Sequence, residues 1–321
     1  EMYESGASRA DAIHYLKDTY LVSDEKASLC AIVAENEAKV LKDVDYDHTF
    51  SLYVGIPFCP SICAYCSFSS YPLSVWEKQV DNYLGALCKE IEAASTMMGN
   101  KKLLTFYMGG GTPTTLSAAQ MGRLMDAISD AFDGSRLLEY TVEGGRPDTL
   151  DAEKLRLIRS KGCARTSINP QTMEDNVLAA IGRRHTADDI RRAMEQVRAA
   201  NFPHVNMDLI AGLPEDTPEG FARSLDEVIS MGADNITVHT LSLKKGSRIM
   251  LEGSRIPGAD EVAQMLDYAD PTLRKHGFAP YYLYRQKYMS GSFENVGWCI
   301  SGAEGLYNIY IMEELHSILS L

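Results

Sequence analysis

The 321-residue chain is 45% hydrophobic, enough to bury a large core as one main domain. Lysine and arginine total 31 against 44 aspartates and glutamates, a formal charge of −13, which disfavours general attraction to nucleic acid and demands local basic residues for any anionic substrate. No apolar run approaches the roughly 20 residues that span a bilayer, and the N-terminus lacks the basic and apolar zones of a signal peptide, so a soluble, cytoplasmic protein without a membrane span is expected.

The first 48 residues read as helical, with Ala27, Cys30, Ala31, Ala34, Ala38 and Leu41 at helical spacing. Segment 1–48 is therefore expected as an N-terminal helical appendage. From there short β-type runs alternate with amphipathic helices, the strand candidates being 51–56, 103–108, 140–143, 165–169, 204–210 and 235–241. A helix over 75–94 carries the stripe Val80, Tyr83, Leu84, Leu87 and Ile91, with Ser74 and Glu77 placed for a capping box; Ser117 and Gln120 suit a second.

Six strand-helix repeats imply a parallel sheet with right-handed crossovers and helices outside. Six units are too few for a closed eight-fold barrel. The expected fold is α/β, a partial (β/α)6 TIM-like barrel over 49–245, followed by a C-terminal extension over 246–321 on the substrate side. The chain starts at Glu1 and stops at Leu321 directly after a helix-like stretch, and a fragment of a longer chain is expected.

In such sheets the functional residues lie on loops leaving the C-terminal strand ends. The unusual residues of this chain sit there. The first strand runs into Pro57-Phe58-Cys59, the second into Gly109-Gly110-Gly111-Thr112-Pro113, the third into Glu143 and the fourth into Gln171, while the fifth carries Asp208. Of seven cysteines, Cys59, Cys63 and Cys66 fall within eight residues, and Cys30, Cys88, Cys163 and Cys299 are scattered, which argues for a cofactor site rather than a disulfide framework.

The spacing C-x3-C-x2-C on one short loop lets three thiolates converge on three irons of a cubane, leaving the fourth iron open for a small molecule. The triplet alone also fits zinc completed by a distant ligand, or three unliganded cysteines in a buried turn. The glycine run permits close approach of a ligand to the backbone, beyond what a strand-ending turn needs. Phe58 and Tyr65 flank the cysteines and read equally as cluster-packing or core aromatics; His239 and His276 read as structural.

Tyr53-Val-Gly-Ile-Pro-Phe-Cys59 with its triplet, followed by Gly109-Gly-Gly-Thr-Pro113, resembles the radical S-adenosylmethionine (SAM) superfamily, and within it the oxygen-independent coproporphyrinogen III oxidase group. Thr141-Val-Glu143, Ser167-Ile-Asn-Pro-Gln171, Ile181-Gly-Arg183 with His185, Asn206-Met-Asp208 and Tyr281-Tyr-Leu-Tyr-Arg-Gln-Lys287 look most like the HemZ branch. The resemblance implies a 4Fe–4S cluster on Cys59, Cys63 and Cys66. It implies SAM held by Tyr53, Gly109, Gly110, Gly111, Thr112, Glu143, Gln171, Arg183, Asp208 and the backbone of Ser242, with Arg184 solvated. It assigns no catalytic side chain. Arg285 and Lys287 are candidate substrate contacts, able to pair with propionates beside an aromatic run.

The implied activity is oxidative decarboxylation of coproporphyrinogen III to protoporphyrinogen IX in haem synthesis, a radical SAM oxidoreductase reaction with a tetrapyrrole substrate and a flavodoxin- or ferredoxin-like electron donor. Two other readings stand beside it: a haem chaperone retaining the fold and cluster, or another radical SAM reaction on a tetrapyrrole such as methyl transfer coupled to haem breakdown. Where the group's best-understood branch has a histidine on the first strand and a further cysteine after the triplet, this chain has Gly55 and Phe68, so no role of those groups transfers.

Overall fold

Several of the expected strands, 51–56 and 204–210 among them, alternate polar or small residues with apolar ones, a pattern ill suited to a parallel sheet buried by apolar layers on both faces. A computed structural model resolves the conflict by curling the sheet. It describes residues 2–3, 5–42, 44–66, 68, 70–243, 249, 255–285 and 289–321. Strand β1 (Thr49–Ile56) is followed by a small pair, β2 (Phe58–Cys59) and β3 (Tyr71–Pro72), and then by β4 (Lys102–Gly110), β5 (Glu139–Glu143), β6 (Arg165–Gln171), β7 (His204–Ala211) and β8 (Asn235–Thr240). Apart from the small pair, these strands lie side by side in chain order and all parallel. All six expected strands are present.

Register puts Ser51, Tyr53, Thr105 and Tyr107 on one face and Leu52, Val54, Phe106 and Met108 on the other. The apolar face packs against α4 (Val80–Met98), α5 (Ala118–Ala131), α6 (Ala152–Ser160), the short α7 (Asp175–Ala180), α8 (Ala187–Ala199) and α9 (Pro218–Ser230), whose Leu84, Leu87, Leu124, Ile158, Leu178, Ile190 and Leu225 share one core with it. The polar face lines the lumen. The partial α/β barrel expected from the sequence is the fold observed.

The helix expected from 75 starts later. A single turn, α3 (Leu73–Trp76), and a 3₁₀ turn (Glu77–Gln79) precede α4, and no capping box forms at Ser74. The physical reason is that Val75 points into solvent, 72% exposed, and the buried stripe begins only at Val80. Ser117 and Gln120 do form theirs.

Both ends of the chain join this sheet. Helices α1 (Arg9–Tyr20) and α2 (Asp24–Leu41) precede it, and α2 lies along β9 (Phe278–Tyr284), with Asn36 Nδ2 donating to Pro280 O at 2.9 Å. Helix α10 (Ala259–Lys275) leads into β9, which pairs with β10 (Asn295–Ile300), and β10 pairs antiparallel with β8. After α11 (Leu306–Glu313), β11 (Ile318–Ser320) adds parallel to β1. Among the described residues the main sheet has nine strands.

The foot of the barrel is closed by α11. Arg165 Nε faces Glu139 Oε2 at 3.3 Å with both side chains buried, and Arg165 Nη2 donates to the carbonyls of Ala303 and Glu304 at 2.9 and 3.0 Å. Glu139 accepts from the N–H groups of Leu306 and Tyr307, the orphan donors of the helix start. Removing one partner of a buried ion pair leaves the other charge stranded, at a cost of about 3–5 kcal/mol. Arg165→Met is therefore expected to lower the urea midpoint by that equivalent. An unchanged midpoint would mean that the pair contributes nothing to closure.

Candidate functional site

A cavity of about 600 Å³ opens at the C-terminal ends of the parallel strands, within the roughly 300–1,000 Å³ of small-molecule sites. The cysteine loop forms one wall. It leaves β2 and returns as β3, and Tyr71 N–H donates to Pro57 O at 2.7 Å to close its base. Cys59 and Cys63 are buried, Cys66 is partly so, and all three line the cavity. Burial pushes the Cys59 and Cys66 thiols up, as it does any buried cysteine, and a bound metal would deprotonate them.

The glycine run holds the loop from beside it. Gly111 N–H donates to Ile56 O at 2.8 Å and Thr112 N–H to Phe58 O at 2.9 Å. A Cβ on Gly111 would lie 2.8 Å from Phe58 O and 3.0 Å from Cys59 Sγ, so any other residue would push the loop away. Gly110, Gly111 and Thr112 line the cavity, whereas Gly109 is buried in the strand.

The opposite walls are polar. On β6, Ser167, Asn169 and Gln171 alternate onto the luminal face, and Ser167 Oγ, Asn169 Oδ1 and Gln171 Oε1 are buried without a partner among the described residues. Gln171 sits at φ 71°, beyond a register shift after Ile168, and strain of that kind in a non-glycine residue marks a site where a side chain is re-aimed. Arg183 is buried with Nε unpartnered, its Nη1 donating to Asn169 O at 3.1 Å and its Nη2 to Tyr65 Oη at 2.9 Å. Its neighbour Arg184 is exposed.

Two carboxylates face the same space with opposite tendencies. Burial pushes Glu143 up to about 7, the charge of Asp208 adding to this and the hydrogen bond from Tyr107 Oη opposing it. Tyr107 belongs to a cluster of three near-parallel rings, with centroids 6.0 Å from Tyr53 and 4.5 Å from Tyr307, while Tyr53 and Tyr307 are 6.1 Å apart. Burial works against the Asp208 carboxylate as well, but His239, Asn206 and Thr237 outweigh it and hold Asp208 below the usual carboxylate range.

Of the residues expected to hold the cofactors, the cysteines and Tyr53, Gly110, Gly111, Thr112, Glu143, Gln171, Arg183, Asp208 and Ser242 all line this one cavity. Arg285 is exposed and outside that lining, one residue beyond the cavity-lining Tyr284; Lys287 lies outside the described residues. His276 is exposed at the end of α10, but His239 lines the cavity. Arg146, Thr237 and Asn295 also line it without having been singled out in the sequence, as do Asn206 and Tyr282, which the sequence offered only as parts of longer motifs. Arg146 is almost fully buried, bidentate with Asp148, and donates from Nη1 to Ser61 O and Oγ at 3.2 and 2.8 Å, pinning the middle of the cysteine loop.

This donor set fits a thiolate-bound cluster beside an amino-acid-like ligand. Three soft sulfurs share one end, while unpaired buried polar atoms, a guanidinium and two carboxylates stand opposite. Among the described residues no three His, Cys, Asp or Glu side chains are drawn together as a single-ion site; a cluster takes each thiolate on a different iron.

The profile of the Radical SAM superfamily matches residues 53–228, from Tyr53 in β1 into α9. The chain belongs to the radical SAM superfamily, whose cofactors are a 4Fe–4S cluster and SAM. Over 99% of its length it is 38% identical to the oxygen-independent coproporphyrinogen-III oxidase-like protein HemZ of Bacillus subtilis, and over 72% it is 35% identical to the heme chaperone HemW of that organism. It spans 65% and 62% of those two proteins, just under two thirds of each. The coproporphyrinogen III oxidase HemN of Escherichia coli, a radical SAM enzyme, superimposes with a TM-score of 0.71 over 89% of this chain and 66% of that one; at 23% identity this shows the shared fold. No helix among the described residues is long and apolar enough to cross a membrane.

Proposed function

We propose that the chain is a radical SAM enzyme that oxidatively decarboxylates two propionate side chains of coproporphyrinogen III to vinyl groups. The observation that carries this reading is the extent of the likeness to the coproporphyrinogen-III oxidase-like protein, 99% of the chain against 72% for the heme chaperone. Cys59, Cys63 and Cys66 hold the cluster. Arg183 clamps the SAM carboxylate, Glu143 accepts from its ammonium, Asp208 accepts from the ribose, Gln171 hydrogen-bonds within the same site, and Gly110, Gly111, Thr112 and the backbone of Ser242 approach it closely. Tyr53 lines the floor, and Gly109, behind the lining, leaves room for Tyr107 and the Glu143 carboxylate. Bound together, cluster and SAM supply one-electron chemistry able to take hydrogen from an unactivated carbon.

Each propionate loses one β-hydrogen and carbon dioxide, and the remaining electron passes to an acceptor. A flavodoxin- or ferredoxin-like protein would supply the reducing electron. The chain's task is to orient the propionate and keep water out. Tyr282 and Tyr284 offer ring faces on the far wall, and Arg285, at the rim beyond them, pairs with a propionate that extends outward. The likeness to HemW favours a second reading, haem binding and transfer to a partner protein.

The deciding experiment supplies reconstituted protein with SAM, a reductant and coproporphyrinogen III under anaerobic conditions and follows products by mass spectrometry. Stepwise loss of two carbon dioxide units with two hydrogens each is expected. Stoichiometric haem binding without porphyrinogen turnover would replace this reading with the chaperone, and a methylated product would replace it with methyl transfer.

A further inference from the structure

We propose that strand β9, which lies outside residues 53–228 of the family match, is the positioning element of the Asp208 carboxylate, acting through Tyr282 and Tyr284. The inference rests on the reading that Asp208 meets SAM and extends it to two tyrosines on a strand beyond the family match.

The connection runs through consecutive contacts. Asp208 Oδ1 accepts from Asn206 Nδ2 at 2.7 Å, Asn206 Oδ1 accepts from Thr237 Oγ1 at 3.1 Å, and the Thr237 hydroxyl meets Tyr282 Oη at 3.2 Å. The other carboxylate oxygen, Oδ2, faces His239 Nε2 at 3.8 Å, and His239 Nδ1 lies 3.5 Å from Tyr284 Oη. Both oxygens of one carboxylate are thus reached from two tyrosines spaced two residues apart on a single strand, so both phenols face the same side of the sheet.

The route to Tyr282 is unusual, because β10 lies between β8 and β9. Thr237, Gly297 and Tyr282 stand in one row across the three strands. A Cβ on Gly297 would fall 1.8 Å from Tyr282 Cε1, so the ring lies flat across the bare backbone of Gly297 to reach Thr237. Glycine in the middle of a strand weakens it, and here its use is passage for the ring. The phenol is buried, and burial pushes it well above its ordinary pKa, so it stays a neutral donor. With Thr237 Oγ1 receiving that proton and giving its own to Asn206, the Asn206 amide is fixed with its NH₂ toward Asp208.

A purely structural role would satisfy the same buried groups, and a double-mutant cycle separates the two. SAM affinity is measured on the anaerobically reconstituted holoenzyme by equilibrium binding and by the change that SAM causes in the cluster EPR signal. Tyr282→Phe keeps the ring and removes the hydroxyl; it should weaken SAM binding roughly three- to tenfold, the worth of one neutral hydrogen bond, with iron content unchanged. Gly297→Val, which evicts the ring, should reproduce the loss; should that variant fail to fold, Thr237→Val makes the same break from the other side. In an Asp208→Ala background Tyr282→Phe should have almost no further effect.

If Asp208→Ala binds SAM as well as the unaltered chain, the assignment of Asp208 to the cofactor fails and this proposal with it. If Asp208→Ala weakens binding but Tyr282→Phe does not, the proposal alone is overturned. An equal loss from Tyr282→Phe in both backgrounds also overturns it, because Tyr282 would then act without Asp208.

Discussion

Cys63→Ala, reconstituted anaerobically with iron and sulfide, is expected to hold no intact cluster, while the unaltered chain takes up about four irons. The expectation rests on the loop's geometry. Cys63 is buried midway between the other two cysteines, on a stretch held from three sides: Arg146 bonds Ser61, Ala64 N–H donates to Ile181 O at 2.9 Å, and Thr112 Oγ1 donates to Cys59 Sγ at 3.5 Å. A loop so fixed brings no replacement thiol within reach; Cys163 and Cys299 are buried elsewhere and line no part of the cavity. The loss should be close to complete, because a cubane bound through two thiolates leaves two irons open to water and oxygen. Chemical analysis of iron and sulfide decides the matter. Full incorporation into a variant with alanine at 59, 63 and 66 would remove the cysteines from the cofactor site.

The second large effect concerns Glu143. Glu143→Gln should weaken SAM binding by roughly one to two orders of magnitude, the scale of a buried charge-assisted hydrogen bond lost to the ligand's ammonium. The unaltered chain should also show a pH dependence of defined sign. Burial holds Glu143 near 7, so below that value the free protein carries a neutral acid that must ionise before it can meet a cation. Affinity for SAM should therefore rise with pH up to about 7 and level off above it, falling by up to tenfold per unit on the acid side.

Stability without SAM runs the other way. Between the ordinary carboxyl value of 4.5 and about 7 the folded chain binds more protons at this group than the unfolded one, so Glu143's contribution to stability declines as pH rises through that window. The thermal shift produced by SAM should consequently grow from pH 5.5 to 7.5. A shift independent of pH, or a Gln variant that retains the same slope, would show that another group controls binding.

The cofactor wall was legible in the sequence because its signals are local. Three cysteines on one loop, three glycines before Thr-Pro and a polar residue at each strand end are all readable within a few positions, and the parallel order follows from strand-helix alternation. The remaining wall was not. Tyr281 to Tyr284 read as an aromatic run; in the fold they end β9, with Tyr281 and Tyr282 packing in a satellite core with Cys299 and Ile309, and Tyr282 and Tyr284 lining the cavity. Strands β9, β10 and β11 pair antiparallel or across the whole length of the chain, and nothing local announces such partners. A signal for His239, Thr237 and Asn206 did exist. Asn206 shares the parity of Asp208, and Thr237 and His239 alternate with Ile236 and Val238, so a polar residue at every second position of a helix-covered strand pointed to an occupied lumen. Arg146 had only its place after two glycines at a strand end, which distinguishes it poorly from a surface charge.

The helical segment that the sequence offered as an appendage has a different consequence. Strand β9 is one end of the open sheet, and an uncovered strand end is a template on which a second chain can add itself. Pro280 offers no N–H to such an intruder, and its carbonyl is already taken by Asn36 of α2. Shortening the chain to the barrel alone is expected to strip that cover and leave an adhesive strand edge. Helix α2 therefore shields that strand through Asn36, a contact that leaves no trace in the chemistry of the cavity.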